Sequence, residues 1–234
     1  MDIRAMVYQF RLQAQRVDTK STTGIPLPQI IIYLNDGMMS LLLQRYGPNN
    51  AYRATLESIQ KRIDEWQRLV IPHELINSTA DGPERYLFDL TATAQKYLFL
   101  LRCSFLGSNG KCGNQKFISH YSQSDDLDIN LDNPNSNPNF EWRETLHRIA
   151  QDNIIAYTDG TFSLDKADID YLRYPKALDI AGYTHFDNTP SVDSDCELPV
   201  FLHRDIVTEA VVLFELSFKQ PGVESTAAMK QMEE

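Results

Sequence analysis

The chain has 234 residues, of which 42% are hydrophobic and 10% aromatic, and its formal net charge at pH 7 is −10. This composition predicts a folded protein rather than a disordered one. It excludes a surface that grips nucleic acid throughout, because phosphate binding needs an excess of lysine and arginine, but it allows a surface along which DNA passes without being held.

The sequence gives little indication of a targeting signal, a membrane-spanning segment or a disulfide bond. Charged residues interrupt the N-terminal stretch where a signal peptide needs an apolar run, and the longest apolar runs are too short to span a bilayer. A bridge between Cys103 and Cys112 across a hairpin is conceivable, with Cys196 left over. Reduced thiols are favoured, because a chain of this length needs no disulfides. We expect a soluble protein that is made and used in a cytoplasm.

The first third of the chain has the spacing of three helices. Apolar residues recur at steps of three and four over residues 3–17 and again over 28–46, after which Gly47 and Pro48 supply a stop signal. A third pattern, over 51–69, has the narrow a/d spacing of a helix that packs on another helix. We predict helices with these bounds.

The middle of the chain is predicted to form strands within residues 85–175. The sequence GSNGK at 107–111 predicts a hairpin turn. The segment 142–175 suggests two strands joined across TDGT, where Asp159–Gly160 supplies turn residues suited to positive φ. The acidic, Asn/Pro-rich stretch 125–140 predicts a surface loop.

The last predicted helix, 197–219, is apolar on more than one face, which indicates burial on two sides. The predicted fold class is α+β, with a helical bundle formed by the N-terminal helices and the C-terminal helix, and a β-rich lobe inserted between them. We expect residues 1–76 to be the N-terminal part of the bundle and 77–180 the lobe with its Asn/Pro-rich loop. Residues 181–234 would hold a linker, the last bundle helix and a polar tail.

The stretch DCELPVFLHRD at 195–205 gathers residue types that bind metals or move protons. A metal-dependent hydrolase could use His185, Asp187, Asp195 and His203. Their spacing, however, matches neither HExxH nor a calcium loop, and the chain has no GxSxG nucleophile motif. We therefore predict no catalytic, cofactor-binding or metal-ligating residue and no cofactor.

The same stretch has a structural interpretation, which we prefer. Asp195 caps the last helix, and the acidic residues at 193, 195 and 197 lie at its positive end, where negative charge is favourable. Pro199 fits the first turn, because its missing N–H costs nothing there. His203, one turn into the helix, is a surface or packed histidine rather than a ligand.

Three segments in order carry a resemblance to a known family. An early helix reads IIIYLNDGMMSLLLQRYG, the β region ends in YLRYP at 171–175, and CELP at 196–199 opens a helix reading FLHRDIVTEAVVLFEL. From about residue 27 to 219 the chain resembles the head-to-tail ring (adaptor) proteins of tailed bacteriophages, most of all those of crAss-like phages. The matching structural motif consists of Arg173, Tyr174, Pro175, Glu197, Leu198, Pro199 and His203.

This resemblance implies a virion protein without catalysis. Copies would form a closed ring, twelve-fold by expectation, in the head-to-tail connector or tail barrel. The ring would contact the portal or neighbouring ring and tail proteins, and phage DNA would pass through without specific binding; no membrane is involved. Synthesis would take place in the host bacterial cytoplasm. Two other classes stay open, a metal-dependent hydrolase and a monomeric binding module such as an assembly factor.

Overall fold

The computed structural model describes residues 1–17, 24–46, 64–110, 112–185 and 188–218. In chain order the elements are α1 (Ile3–Val17), α2 (Leu27–Tyr46), β1 (Val70–Asn77), β2 (Thr79–Ala80), β3 (Arg85–Asp89), β4 (Tyr97–Ser108), β5 (Gln115–Tyr121), α3 (Leu127–Asp132), β6 (Glu144–Ala150), β7 (Asn153–Tyr157), β8 (Ser163–Arg173) and α4 (His203–Phe218). Short 3-10 turns lie at Leu90–Ala92 and Val200–Leu202. The predicted mixture of helices and strands is confirmed.

The chain divides into two compact units. The helical unit comprises Met1–Arg68 and Pro175–Glu234 and contains α1, α2 and α4. The sheet unit comprises Leu69–Tyr174 and contains the eight strands and α3. The β-rich lobe was predicted at 77–180, so the sheet unit begins and ends a few residues earlier than predicted.

In the helical unit, α4 packs against both α1 and α2. Phe10, Tyr33 and Phe214, one from each helix, meet in a cluster with ring centroids 5.4 to 6.5 Å apart. Gly37 lies directly on Ala210, since a Cβ at Gly37 would be 2.8 Å from the Ala210 backbone nitrogen. The burial of α4 on two sides explains why the sequence of this helix is so apolar.

The eight strands form one sheet in the order β1-β8-β4-β5-β6-β7-β3-β2. Neighbours are antiparallel except β5 and β6, which are parallel. The sheet is curled, because β1 at one edge also contacts β3 near the other. Its concave face holds the core, which includes Phe88, Phe105, Phe117, Ile154, Phe162, Ile169 and Tyr171.

Helix α3 lies within the stretch 125–140 that the sequence predicted as a surface loop. Its residue Leu127 packs with Leu146, Ile155 and Tyr157 in a second, smaller cluster on the other face of β6 and β7. This apolar contact gives part of the acidic, Asn/Pro-rich stretch a fixed helical conformation.

The boundary between helix and sheet was predicted wrongly. Residues 51–63 of the predicted helix 51–69 lie outside the described residues, and 64–66 are helical, but Val70 already belongs to β1. Strands β1 and β2 precede residue 85, where the first strand was expected. The pairing partner of β1 is β8, roughly a hundred positions along the chain, and no local pattern reveals such a partner.

The segment 142–175 contains three strands rather than two. Gln151 and Asp152 both have positive φ, 52° and 58°, and form the tight turn between β6 and β7. The predicted turn at Asp159–Gly160 lies between β7 and β8, and Gly160 has φ of 78°. The predicted hairpin is confirmed, because β4 and β5 pair antiparallel, but its turn does not have the predicted bounds 107–111: Gly107 and Ser108 still belong to β4, and β5 begins at Gln115.

The three cysteines are free thiols. Burial raises the pKa of Cys103 to about 12, so that this thiol stays protonated at neutral pH. Within the described residues, no helix is both long and apolar enough to cross a membrane.

Candidate functional site

The Arg-Tyr-Pro motif lies where the sheet unit ends. Arg173 is the buried last residue of β8, and its backbone N–H donates to the Leu69 carbonyl (3.0 Å). The Tyr174 N–H donates to the Lys96 carbonyl (3.0 Å), and the Lys96 ammonium lies 4.5 Å from the Tyr174 ring centroid. Pro175, which has no N–H to extend a strand ladder, begins the second stretch of the helical unit.

Glu197 connects separate parts of the helical unit. Its carboxylate accepts from the backbone N–H of Lys176 (3.3 Å) and pairs with the ammonium of the same residue (3.2 Å). Its backbone carbonyl accepts from the Arg68 guanidinium (3.2 Å). These contacts fix the chain just before the last helix.

Leu198, Pro199 and His203 set the start of α4. Leu198 is buried, and Pro199 precedes the 3-10 turn Val200–Leu202, whose last N–H donates to the Pro199 carbonyl (2.9 Å). His203 is buried, with Nε2 lying 2.9 Å from the Leu198 carbonyl oxygen, so this nitrogen carries the proton and donates. His203 is therefore a packed histidine that holds the turn to the helix.

The prediction that Asp195 caps the last helix was wrong. That helix begins at His203, after the 3-10 turn, and the Asp195 carboxylate instead accepts from the backbone N–H of Ile3 (2.9 Å), at the start of α1. Asp193 also faces α1, with its carboxylate 3.3 Å from the Arg4 guanidinium. These two acidic residues therefore place negative charge at the positive, N-terminal end of α1, where it is favourable.

Asp195→Ala should lower the free energy of unfolding by about 0.5–2 kcal/mol, the usual cost of losing a side-chain cap. Asp2 caps the same helix by accepting from the Ala5 N–H (2.8 Å), so α1 should fray rather than unfold. Thermal unfolding followed by circular dichroism measures the loss. Asp195→Asn keeps an acceptor oxygen and should retain most of the stability; an Asn variant as unstable as the Ala variant would contradict a hydrogen-bonding role.

His185 is bound to Asp179 within the loop that precedes α4. Its Nε2 lies 3.0 Å from one Asp179 oxygen, and Asp179 also accepts from the Tyr183 hydroxyl (2.6 Å) and the Val192 N–H (3.0 Å). Burial alone would raise the pKa of Asp179, but these hydrogen bonds outweigh it and hold the pKa below its ordinary value. The loop is organised around this carboxylate.

The alternative metal site does not form among its described members. His185 is bonded to Asp179, Asp195 to the start of α1, and His203 to the Leu198 carbonyl. In the described part of the chain, no group of ligand atoms within 4.8 Å of one another includes these three residues. Asp187, the fourth member, lies outside the described residues.

A charged network covers the convex face of β1, β8, β4 and β5, and the sequence did not predict it. Asp168 and Asp170 alternate along β8 with core residues. Arg102 donates to both oxygens of Asp170 (2.5 and 2.9 Å), while Lys116 (3.0 Å) and His73 (3.2 Å) contact Asp168. Ligand atoms of His73, Asp168 and Asp170 lie within 4.8 Å of one another.

The network is electrically balanced. The hydrogen bonds from Arg102 hold the pKa of Asp170 below its ordinary range. Burial would raise the pKa of Asp168, but Lys116, His73 and Arg102 together lower it. Because two cations already occupy the two carboxylates, a metal ion would have to displace them. The arrangement suits an ion-paired surface better than a metal centre.

Ser119 and His147 form a second unpredicted pair, on the parallel strands β5 and β6. The Ser119 Oγ lies 2.6 Å from His147 Nδ1. Burial lowers the pKa of His147 to about 4, so the imidazole is neutral near pH 7. The described contacts of His147 include rings of Phe105 and Tyr121 but no carboxylate, which a catalytic triad needs to orient its histidine. The pair is a buried polar contact.

Two sequence signals could have pointed to these groups. The segment KADIDYLR, 166–173, alternates acidic and apolar residues, which predicts a strand with one charged face. His73 follows a proline inside β1 and has φ of 53°, at a register shift of that strand. Proline inside a strand pattern indicates a bulge or an edge.

Both units expose large apolar side chains. On the helical unit they include Tyr8 (64% exposed), Ile32 (58%) and Leu43 (47%). On the sheet unit, Trp142 is 75% exposed and Ile118 62%. Single exposed apolar residues are common on folded proteins, whereas contiguous apolar patches mark surfaces that bind other molecules.

Compared with known proteins, the chain matches no protein-family model and no curated protein. A function must therefore be inferred from the residues described above.

Proposed function

We propose that the protein is a virion structural protein, one subunit of a homo-oligomeric ring in the head-to-tail connector or tail barrel of a tailed bacteriophage. The observation that supports this proposal best is the exposure of large apolar side chains on different helices of the helical unit. A ring subunit needs two different surfaces that bind each other on successive copies.

The order of the sequence segments supports the same proposal. The early helix, the Arg-Tyr-Pro at the end of β8, and the Glu-Leu-Pro before α4 resemble the ring proteins of crAss-like phages. In this proposal the N-terminal helices and α4 form the rigid bundle of the subunit, with the β-rich lobe inserted between them. Twelve copies, the portal and adjacent ring or tail proteins are the expected partners, and no membrane is involved.

The net charge of −10 is consistent with a channel through which DNA must slide. Excess negative charge repels phosphate, so DNA would pass without specific binding. The proposal assigns the protein no catalytic residue and no cofactor. The rival hydrolase is less well supported, because its described candidates His185, Asp195 and His203 are each bonded elsewhere.

Purified particles of the phage that encodes this chain should contain it in many equal copies. Quantitative mass spectrometry should give about twelve copies per particle, and electron microscopy should place them with cyclic symmetry about the tail axis. An assembly factor would be absent from the finished particle, and a hydrolase would hold stoichiometric zinc or calcium when purified. Absence from particles, or a single off-axis copy, would contradict the ring proposal.

A further inference from the structure

One face of α1 is basic and partly apolar. Arg4, Tyr8 and Arg11 recur at steps of four and three, with Leu12 beside them, and all four are exposed. The opposite side of the helix holds the buried residues that face α4. The helix contains three arginines and no acidic residue. Arg4 is ion-paired with Asp193, so Arg11 is the arginine whose positive charge this α1 face offers beside the aromatic ring of Tyr8.

A second exposed face spans α2 and α4. On α2, Ile32, Asp36 and Leu43 share one stripe, and on α4 Val212 (43% exposed) and Leu216 (36%) share another. This α2–α4 face therefore carries exposed apolar side chains on both helices.

Hydrogen bonds join the two stripes into one surface. The Glu209 carboxylate of α4 accepts from the Ser40 hydroxyl and the Gln44 amide of α2, both at 2.8 Å. These donors are uncharged, so they leave the negative charge of Glu209 in place. Together with Asp36 and Glu215, this carboxylate makes the α2–α4 face acidic.

The two faces therefore match each other in apolarity and are opposite in charge. Two α1 faces would bring arginines together, and two α2–α4 faces would bring carboxylates together, and like charges in contact disfavour both pairings. Only the unlike pairing satisfies both the charges and the apolar residues. A contact between two different surfaces of identical subunits is head-to-tail and repeats from copy to copy, which gives a ring when the rotation between successive copies closes.

We propose that the α1 face of one copy packs against the α2–α4 face of the next copy and forms the subunit contact of the ring. This inference rests on the proposed function and specifies its partner surface. At 1.5 Å per residue, α1 is about 22 Å long and α2 about 30 Å, lengths that suit a helix-on-helix interface.

Cysteine cross-linking tests the pairing and its polarity. In a chain carrying Cys112→Ser, because Cys112 is exposed, Tyr8→Cys marks the α1 face and Leu43→Cys the other face. With a short bismaleimide, each single variant alone should stay uncross-linked. An equal mixture of the two should give dimers, and the double variant should give a ladder of multimers. Val212→Cys should replace Leu43→Cys with the same result.

Charge reversal tests the complementarity. Arg11→Glu in the double-cysteine chain should reduce the cross-linked yield about tenfold or more, because it places a carboxylate against the acidic face. Lys166→Glu makes the same charge change at an exposed residue of β8 and should leave the yield unchanged. Equal effects of the two substitutions would overturn the proposal.

Other outcomes separate this inference from the ring itself. If native mass spectrometry shows multimers but Tyr8→Cys and Leu43→Cys do not cross-link, this interface is wrong. The ring proposal would then still stand, with the subunits in contact through other surfaces. Cross-linking of a single variant with itself would overturn the head-to-tail arrangement. A full ladder from a protein that is absent from virions would support the interface and overturn the proposed virion function. A chain that neither associates nor cross-links, up to its solubility limit, overturns the interface.

Discussion

Replacing Gly107 with alanine should lower the free energy of unfolding by about 2–3 kcal/mol, the cost of overpacking a close-packed interior. Gly107 is buried in β4 beside β8, and a Cβ there would overlap the backbone carbonyl oxygen of Ser163. Backbone cannot rotate away as a long side chain can. The two strands must therefore separate at this point, where Gly107 pairs with Leu164.

Gly113→Ala is the matched control for this prediction. Gly113 lies in the same hairpin connection, and a Cβ there would meet nothing within 4 Å. Urea unfolding followed by circular dichroism should show the loss for Gly107→Ala alone. Hydrogen exchange should show reduced amide protection in β4 and β8. Equal stability of the two variants would mean that the strands accommodate a methyl group at Gly107.

The helices of this protein were predictable where local spacing decides them. The bounds 3–17 predicted for α1 are confirmed. The apolar stripe that predicted this helix is its buried side, and Asp2, immediately before the helix, caps its first turn. The start of α4 was not predictable in the same way. Asp195 looks like a cap for the next helix, but its hydrogen-bond partner, Ile3, is 192 positions away. A capping residue indicates a helix end without specifying which helix.

The strands show the same limit. The alternation in 166–173 predicts one charged and one apolar face, and the structure has both. The cation that would satisfy Asp170 could not be read from that segment, because Arg102 comes from β4 and meets it only through the pairing of β4 with β8. His73 joins the network only because β1, the unpredicted strand, lies on the other side of β8.

The structural motif predicted from Arg173 to His203 has its first and last members at the boundaries of secondary-structure elements. Arg173 ends β8 and His203 begins α4. Both are buried polar residues whose hydrogen bonds run to nearby backbone carbonyls. The ring-forming role of these residues stays a prediction, since spacing alone does not reveal a second copy.

Arg102→Met should destabilise the sheet unit by about 2–3 kcal/mol near neutral pH, the scale expected for hydrogen bonds to charged groups. The guanidinium donates to Asp168 and Asp170, and its removal leaves two carboxylates side by side on one strand. Lys116 would remain to neutralise Asp168. Asp170 would lose the donor that lowers its pKa most.

The size of this effect should depend on pH. Both carboxylates have pKa values in the folded protein below their ordinary ones, which are about 4 in an unfolded chain. Their contribution to stability is therefore fully present above about pH 5 and is lost as the pH falls through the folded-state values. Since Arg102→Met removes a cause of both shifts, the variant should lose less stability than the wild type over this acid range. The difference between the two proteins should thus narrow below about pH 4.

Urea unfolding of both proteins at pH values from 7 to 3 measures this narrowing. Lys166→Met, which removes an exposed cation of the same strand, should match the wild type throughout, because a solvated charge contributes little. Lys116→Met should give an intermediate loss, since its ammonium is half exposed and contacts Asp168 alone. If Arg102→Met instead costs the same at every pH, the loss comes from a hydrogen bond that does not depend on the ionised carboxylates, such as the one that Arg102 donates to the Ser104 hydroxyl (3.1 Å). In that case Arg102 would not be what lowers the pKa values of Asp168 and Asp170.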